Sequence, residues 1–209
     1  MLLYYKPGAC SLASRISLLE LDLPFETCEV DTHAGRTETG ADFLKINPKG
    51  YVPALEVEPG TILTENPAIL QFIADNGSAG TLAPAPGTLG RVRLHEWLNF
   101  TSSELHKAFS PWFSDRKLET DERERAQATL DRRIGDVERG LADGRAFILG
   151  DSFTVADAYL FVVLNWSAVI GLNLTRWPAV ASYASRIANR PAVRAAMAAE
   201  GLPAAKAAQ

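Results

Sequence analysis

The sequence LLYYKPGACSLASRISLLEL, residues 2–21, determines which fold the chain adopts. It opens with a short apolar run, Leu2–Tyr5, which stops at Pro7-Gly8, as a buried strand does when it ends in a turn. From Ser11 to Leu21 the apolar residues recur near helical spacing, and Ser11 is available as an N-cap. The segment therefore predicts a strand, a turn and a helix in direct succession.

Strand and helix patterns continue to alternate up to residue 75. The predicted elements that follow are a strand at Phe25–Val30, a short helix at Ala41–Ile46, strands at Val52–Val57 and Thr61–Leu63, and a helix at Pro67–Asp75. The order is β-α-β-α-β-β-α. A right-handed crossover joins the first two strands and a hairpin adds antiparallel ones. This order predicts a small thioredoxin-like sheet with helices on both faces.

The composition changes after this region. Residues 76–89, NGSAGTLAPAPGTL, are rich in Gly, Ser, Ala and Pro, which is typical of an interdomain linker. We therefore predict a first domain at 1–78, a linker at 79–88 and an all-helical domain at 89–209, with a disordered tail from about residue 203.

The second part of the chain shows only helical periodicity. The predicted helices are Leu89–Ser110, Asp121–Leu141, Val155–Ile170, Pro178–Asn189 and Ala192–Glu200. Thr154 and Asp157 have capping-box spacing at the start of the most apolar helix. That helix is predicted to form the centre of the helical core.

The overall composition excludes several classes of protein. The chain has 209 residues, 47% of them hydrophobic and 22% charged, which is ordinary for a globular protein. A net charge of −4 gives no general attraction to nucleic acid or anionic lipid. We expect neither a membrane span nor a secretory signal. The only cysteines, Cys10 and Cys28, form no disulfide framework, so we expect a cytoplasmic protein.

Cys10 is the most informative single residue. It follows the Pro7-Gly8 turn and precedes the first turn of a helix, where unpaired N–H groups and the helix dipole favour an anion. This position predicts a stabilised thiolate. The alternative is that Cys10 is a small apolar residue that fills the core. Cys28 lies inside a predicted strand, where a packing role is expected.

Two further segments point to a peptide ligand. Pro53, after Tyr51-Val52, enters a strand that must pair, so either the Val52–Pro53 bond is cis and frees Val52 to pair with a bound peptide, or the strand lies at an edge. Glu65-Asn66 precedes a helix whose amides could receive a carboxylate, while Glu65 could receive an ammonium group. Asn66 is also expected to be that helix's N-cap.

Five segments recur in the order and spacing of a known family. They are YYKPGACSLASRISL (4–18), NPKGYVPALEV (47–57), LTENPAILQFIAD (63–75), HEWLNFTSSELHK (95–107) and FTVADAYLF (153–161). Together they resemble the bacterial beta-class glutathione transferases over nearly all of residues 1–202. The resemblance implies a homodimeric enzyme with a thioredoxin-like glutathione-binding domain and a helical domain.

The resemblance also implies roles for individual residues. Cys10 would lie beside the glutathione sulfur, Val52 with cis Pro53 would pair with the cysteinyl unit, and Glu65 with Asn66 would hold the γ-glutamyl end. His106 and Lys107 would face the sulfur, and Asn99 and Glu104 would reach glutathione across the dimer interface. In place of the family's usual small hydroxyl residue after the glutamate stands Asn66, followed by Pro67, which removes one amide donor.

His106 and four aromatic residues are candidates for the rest of the site. A single histidine on an amphipathic helix is often a surface residue, but beside Cys10 and Lys107 it is expected to titrate near neutral pH and tune a thiolate. The expected apolar co-substrate pocket consists of Phe109, Trp112, Phe113 and Trp166, although aromatics at helical spacing are often core residues. The histidines and cysteines show no metal-ligand spacing.

The expected function is activation of the glutathione thiol for attack on a small hydrophobic electrophile. A mixed disulfide between Cys10 and glutathione could add thiol-transferase or peroxidase activity. Two alternatives remain open: a redox enzyme with Cys10 as nucleophile, and a non-catalytic protein that binds glutathione or an apolar ligand.

Overall fold

A computed structural model describes residues 1–78, 80–114 and 116–203; beyond Pro203, the predicted disordered tail lies outside the described residues. The strands are β1 Leu2–Tyr5, β2 Glu26–Asp31, β3 Arg36–Thr37, β4 Ala54–Glu58 and β5 Thr61–Thr64. The helices are α1 Leu12–Glu20, α2 Phe43–Ile46, α3 Asn66–Asn76, α4 Leu89–Phe100, α5 His106–Phe109, α6 Thr120–Gly140, α7 Val155–Val169, α8 Pro178–Ala188 and α9 Pro191–Ala199.

The strands form one mixed sheet in the order β3-β2-β1-β4-β5. β1 runs parallel to β2 and antiparallel to β4, and β4 and β5 form the predicted hairpin. The predicted fold class, a thioredoxin-like sheet followed by helices, is confirmed. The predicted order lacked β3, in which Thr37 pairs with Val30. Two residues are too few to produce a strand periodicity, so the pattern could not reveal this strand.

The N-cap predicted for α1 is wrong. The backbone of Ser11 is already helical, with φ −57° and ψ −25°, and its side chain caps no helix amide. Instead, the Ser11 hydroxyl is 3.3 Å from both the backbone nitrogen and the carbonyl oxygen of Lys6. The hydroxyl thus closes the turn between β1 and α1 rather than the end of the helix.

Helix α7 is the centre of the helical core, as predicted. Leu160, Val163 and Leu164 have no exposed surface. The capping box at its start is also confirmed. The Asp157 carboxylate accepts hydrogen bonds from the Thr154 backbone N–H at 2.8 Å, the Ile148 N–H at 2.7 Å and the Tyr183 hydroxyl at 2.9 Å. One buried carboxylate therefore joins the start of α7 to the loop before it and to α8.

The turn between β1 and α1 is held by residues from the far end of the chain. The Gly8 N–H donates to Glu200 Oε2 at 2.9 Å, and the Trp166 indole N–H donates to the Gly8 carbonyl at 2.8 Å. Arg15 Nε donates to the other Glu200 oxygen at 3.0 Å. Gly8 has φ +72°, and a Cβ there would lie 3.4 Å from Leu202, so the turn needs glycine. These contacts fix the backbone immediately before Cys10.

None of the helices in the described ranges is both long and apolar enough to cross a membrane.

We expect Asp157→Ala to lower the free energy of unfolding by about 3 kcal/mol or more, because it leaves several buried donors without an acceptor. The matched control is Asp143→Ala, whose exposed carboxylate pairs with Arg145 and should contribute less than about 1 kcal/mol. Urea denaturation followed by circular dichroism measures both. Equal losses in the two variants would contradict the role given to the capping box.

Candidate active site

Cys10 lies in the turn between β1 and α1 and is partly buried. Its thiol donates to the backbone carbonyl of Val52 at 3.5 Å. The backbone N–H groups of Cys10 and Ser11, just before α1, lower the pKa of the thiol. The structure therefore brings Cys10 and Val52 together, as the family resemblance implies.

Of the two alternatives for Cys10, the electrostatics of the free protein favour the neutral thiol. Burial raises the pKa of the Cys10 thiol to about 12, although the two backbone amides and the charge of Lys107 act in the opposite direction. Desolvation is the larger effect because removing a thiolate from water disfavours the charged form.

Val52 lies at the entrance to β4, and the Val52–Pro53 peptide bond is cis. Both residues are buried, and β4 begins at Ala54 between β1 and β5. The Val52 carbonyl faces the Cys10 sulfur across the end of the sheet. A carbonyl oxygen has two lone pairs, so this oxygen can accept a second hydrogen bond from a ligand.

Glu65 is the residue before α3 and presents its carboxylate to solvent. Its backbone has φ +69°, a left-handed conformation that is uncommon outside glycine. Lys49 Nζ is 2.6 Å and the Tyr51 hydroxyl 2.9 Å from Glu65 Oε1. The hydrogen bonds from Lys49 and Tyr51 lower the pKa of Glu65, and the charge of Lys107 lowers it further. The group is therefore a carboxylate at neutral pH.

Asn66 does not act as the predicted N-cap. It is the first residue of α3, and Glu65 occupies the cap position. The Asn66 side chain is buried, accepts from the Ser14 hydroxyl at 3.0 Å and donates to the Cys10 carbonyl at 3.1 Å. It thus joins the start of α3 to the Cys10 turn, and its backbone N–H remains for a ligand. The sequence could not reveal this contact because it spans 56 residues.

A π-helical turn, Thr101–Leu105, separates α4 from α5 and carries the chain to His106. The His106 N–H donates to the Thr101 carbonyl, five residues back. The hydroxyls of Ser102 and Ser103 both donate to the Asn99 carbonyl, at 3.1 and 2.9 Å. Such turns are frequent at functional sites, and an extra residue rotates the following side chains by about 100° around the helix.

His106 does not titrate near neutral pH as predicted. Its Nδ1 shares a hydrogen bond of 2.8 Å with the Tyr159 hydroxyl, and its ring packs edge-on against Trp166 with centroids 4.7 Å apart. Burial lowers the pKa of His106 to about 4, helped by the positive charge of Lys107. The imidazole is therefore neutral at pH 7 and acts through hydrogen bonding and packing.

Lys107 supplies a positive charge that acts on Cys10. Its side chain is exposed, and its charge lowers the pKa of both the Cys10 thiol and the Glu65 carboxyl. Its charge therefore acts on two groups that belong to different elements of the first 75 residues. We refer to Cys10, Val52, Glu65 and Lys107 as the Cys10 cluster: the Cys10 thiol contacts the Val52 carbonyl, the residue after Glu65 bonds the Cys10 carbonyl, and the charge of Lys107 acts on Cys10 and Glu65.

Asn99 and Glu104 are not part of this cluster within one chain. The Asn99 side chain is exposed, and Glu104 forms an ion pair with Arg133 of α6. Their expected role across a dimer interface stays a prediction.

The four aromatic candidates differ in exposure. Phe109 has no exposed surface, Trp166 is 8% exposed and Phe113 is 48% exposed. Trp112 is partly buried. The Trp166 ring contacts both Phe109 and Phe113 edge-on. Phe109 therefore supports Trp166 from the core side, and Phe113 and Trp112 are the rings that solvent reaches.

An open groove of about 540 Å³ lies at the opposite end of β1, around Met1, Phe25 and Pro59, and contains none of the predicted site residues. Within residues 1–78, 80–114 and 116–203 no three His, Cys, Asp or Glu side chains are grouped to hold a metal ion.

Comparisons with known proteins agree with this architecture. Residues 1–75 match the family model "Glutathione S-transferase, N-terminal domain", and residues 120–199 match "Glutathione S-transferase, C-terminal domain". Glutathione S-transferase GstA of Escherichia coli O157:H7 is 43% identical over 202 residues, which cover 97% of this chain and 100% of that protein.

Solved structures give the same result. A sphingomonad glutathione S-transferase complexed with glutathione is 46% identical, with a TM-score of 0.91 over 97% of this chain and 100% of that one. The bacterial beta-class enzyme of Sphingomonas chungbukensis is 44% identical, with a TM-score of 0.92 over the same shares of the two chains. The chain therefore belongs to the glutathione S-transferase family and is similar to its bacterial beta class.

Proposed function

We propose that this protein is a glutathione transferase that binds glutathione at the Cys10 cluster and delivers its thiolate to a hydrophobic electrophile. One observation carries the proposal: an exposed carboxylate at Glu65, a peptide-like edge at Val52 and the charge of Lys107 converge on one turn. These groups match the three chemical features of γ-glutamyl-cysteinyl-glycine at its ammonium, its cysteinyl backbone and its thiol.

Each end of the ligand has a chemically suitable partner. Glu65 would receive the α-ammonium of the γ-glutamyl unit, and the backbone N–H of Asn66 at the start of α3 would receive its α-carboxylate. Pro67 has no N–H, so this helix end offers one donor fewer. The backbone of Val52 would pair with the cysteinyl unit as an added strand does.

The chemical step is attack by the glutathione sulfur. Once the thiol proton has passed to solvent, the thiolate forms a bond to the electrophilic carbon, and the leaving group departs with its electron pair. The Lys107 ammonium stabilises the thiolate by its charge, and the Cys10 thiol can donate a hydrogen bond to it. Binding both reactants together supplies proximity.

The state of Cys10 favours conjugation over the redox alternative. Attack of Cys10 on a disulfide requires its thiolate, and burial raises the pKa of this thiol. The aromatic rings beside His106 would hold the electrophile: Trp112 and Phe113 at the surface, with Trp166 and Phe109 behind them. In this arrangement residues 1–78 bind glutathione, 79–88 form the linker, and 89–209 bind the electrophile.

We also propose a cytoplasmic homodimer. Leu89 and Val92 on α4 are 70% and 50% exposed, and a second copy would cover them. Asn99 and Glu104 lie farther along the same helical segment and would face the partner's glutathione. Two free cysteines suit a reducing compartment.

Calorimetry with glutathione, followed by conjugation of an aryl halide on the same sample, tests the proposed function. We expect binding and turnover by the wild type. Absence of binding at millimolar glutathione would overturn the proposal, and binding without turnover on any electrophile would favour the non-catalytic alternative.

We expect Cys10→Ala to retain conjugation to within about fivefold, because the protein's own thiol is not ionised.

Iodoacetamide at pH 7.5 should leave Cys10 unmodified in the native wild type and modify it in urea, as mass spectrometry would show. Cys28→Ala is the matched control. A variant that loses all conjugation, or rapid native modification of Cys10, would contradict this.

The imidazole of His106 should stay neutral from pH 5 to pH 8, since its pKa of about 4 lies below this range. Nitrogen-15 NMR of the histidine rings measures the protonation, and His106→Asn assigns the signal. Titration with a midpoint near the ordinary value of about 6.5 would show that the ring is not buried as described.

A further inference from the structure

Lys49 and Tyr51, from the loop between α2 and β4, bind the same oxygen atom of Glu65. The Lys49 ammonium is 2.6 Å and the Tyr51 hydroxyl 2.9 Å from Oε1. Lys49 is held further by the Thr64 hydroxyl at 3.1 Å. Within the described part of the chain, Oε2 receives no hydrogen bond, so it is available to a ligand.

The loop that carries these two donors is held in place by a buried asparagine side chain. Asn47 is buried, and its side chain accepts from the Lys49 backbone N–H at 3.1 Å and donates to the Tyr51 carbonyl at 2.7 Å. Gly50 between them has φ +74°, and a Cβ there would come within 3.1 Å of Leu44. One buried amide therefore sets the position of both residues.

These contacts contribute little to the stability of the fold. The Lys49 and Glu65 side chains are 47% and 54% exposed, and such pairs contribute about 0–1 kcal/mol. They instead fix the orientation of the Glu65 carboxylate, because an exposed carboxylate without such contacts can rotate away from the ligand. Glu65 also has a backbone conformation that needs support from its surroundings.

We infer that Lys49 and Tyr51 are positioning residues, which hold Glu65 by one oxygen so that the other receives the α-ammonium group of glutathione. The inference rests on the proposed function and adds a structural basis for selectivity between ligands. The pair would favour γ-glutamyl peptides with a free amino group over analogues that lack it.

Two ligands separate this role from a general effect on the site. One is glutathione, and the other is its deaminated analogue glutaryl-cysteinyl-glycine, which lacks only the α-amino group. Tyr51→Phe changes no charge, whereas Lys49→Met removes a positive charge. Comparison of the two variants therefore separates the loss of positioning of Glu65 from a change in the electrostatic potential at the site. Lys45→Met is the matched control, since Lys45 is an exposed lysine on α2.

We expect calorimetry to show that the Lys49→Met/Tyr51→Phe double variant binds glutathione about 5- to 10-fold more weakly, with the analogue changed by less than about twofold. The KM for glutathione should rise while kcat at saturation stays within about twofold. In a Glu65→Gln background, Tyr51→Phe should have no further effect, because its action passes through Glu65.

Unchanged glutathione affinity in the variants, or equal weakening of both ligands, would overturn the inference while the proposed function stands. Loss of melting temperature parallel to the loss of affinity would also overturn it, since the contacts would then be structural. A wild type that binds neither ligand would overturn the proposed function and this inference with it.

Discussion

The long-range hydrogen bonds that fix the turn carrying Cys10 are the constraint on which the site depends. Both backbone groups of Gly8 are bonded to the helical part of the chain, through Glu200 and Trp166, and Asn66 holds the Cys10 carbonyl. Desolvation of the Cys10 thiol raises its pKa more than the neighbouring backbone N–H groups and the charge of Lys107 lower it. The charge of Lys107 is therefore available to a ligand's thiolate rather than consumed by the protein's own.

Local patterns predicted most of the fold. β1 begins and ends where the apolar run predicts, because alternation and turn residues act over a few positions. The capping box at α7 is a pattern within four consecutive residues and is likewise confirmed. Contacts between residues distant in sequence produce no such local pattern. Arg15 binds Glu200, which lies 185 residues away, and nothing in the sequence around either residue predicts this ion pair.

The sequence predicts where the site residues lie but not their protonation states. The turn before α1 marked Cys10, and the proline after Val52 marked the sheet edge. The pKa of His106 and the choice between the two alternatives for Cys10 depend on burial, which is set by the packing of α7 and the π-helical turn and which no local pattern shows. The Ser102 and Ser103 hydroxyls on the Asn99 carbonyl are the local feature that accompanies this turn.

The most direct test is the ionisation of bound glutathione, followed by thiolate absorbance at 240 nm as a function of pH. We predict a thiolate at neutral pH that requires glutathione, persists in Cys10→Ala and weakens in Lys107→Gln. A thiolate signal in the protein without glutathione, or one that disappears with Cys10, would contradict the claim that this fold ionises its ligand's thiol and not its own.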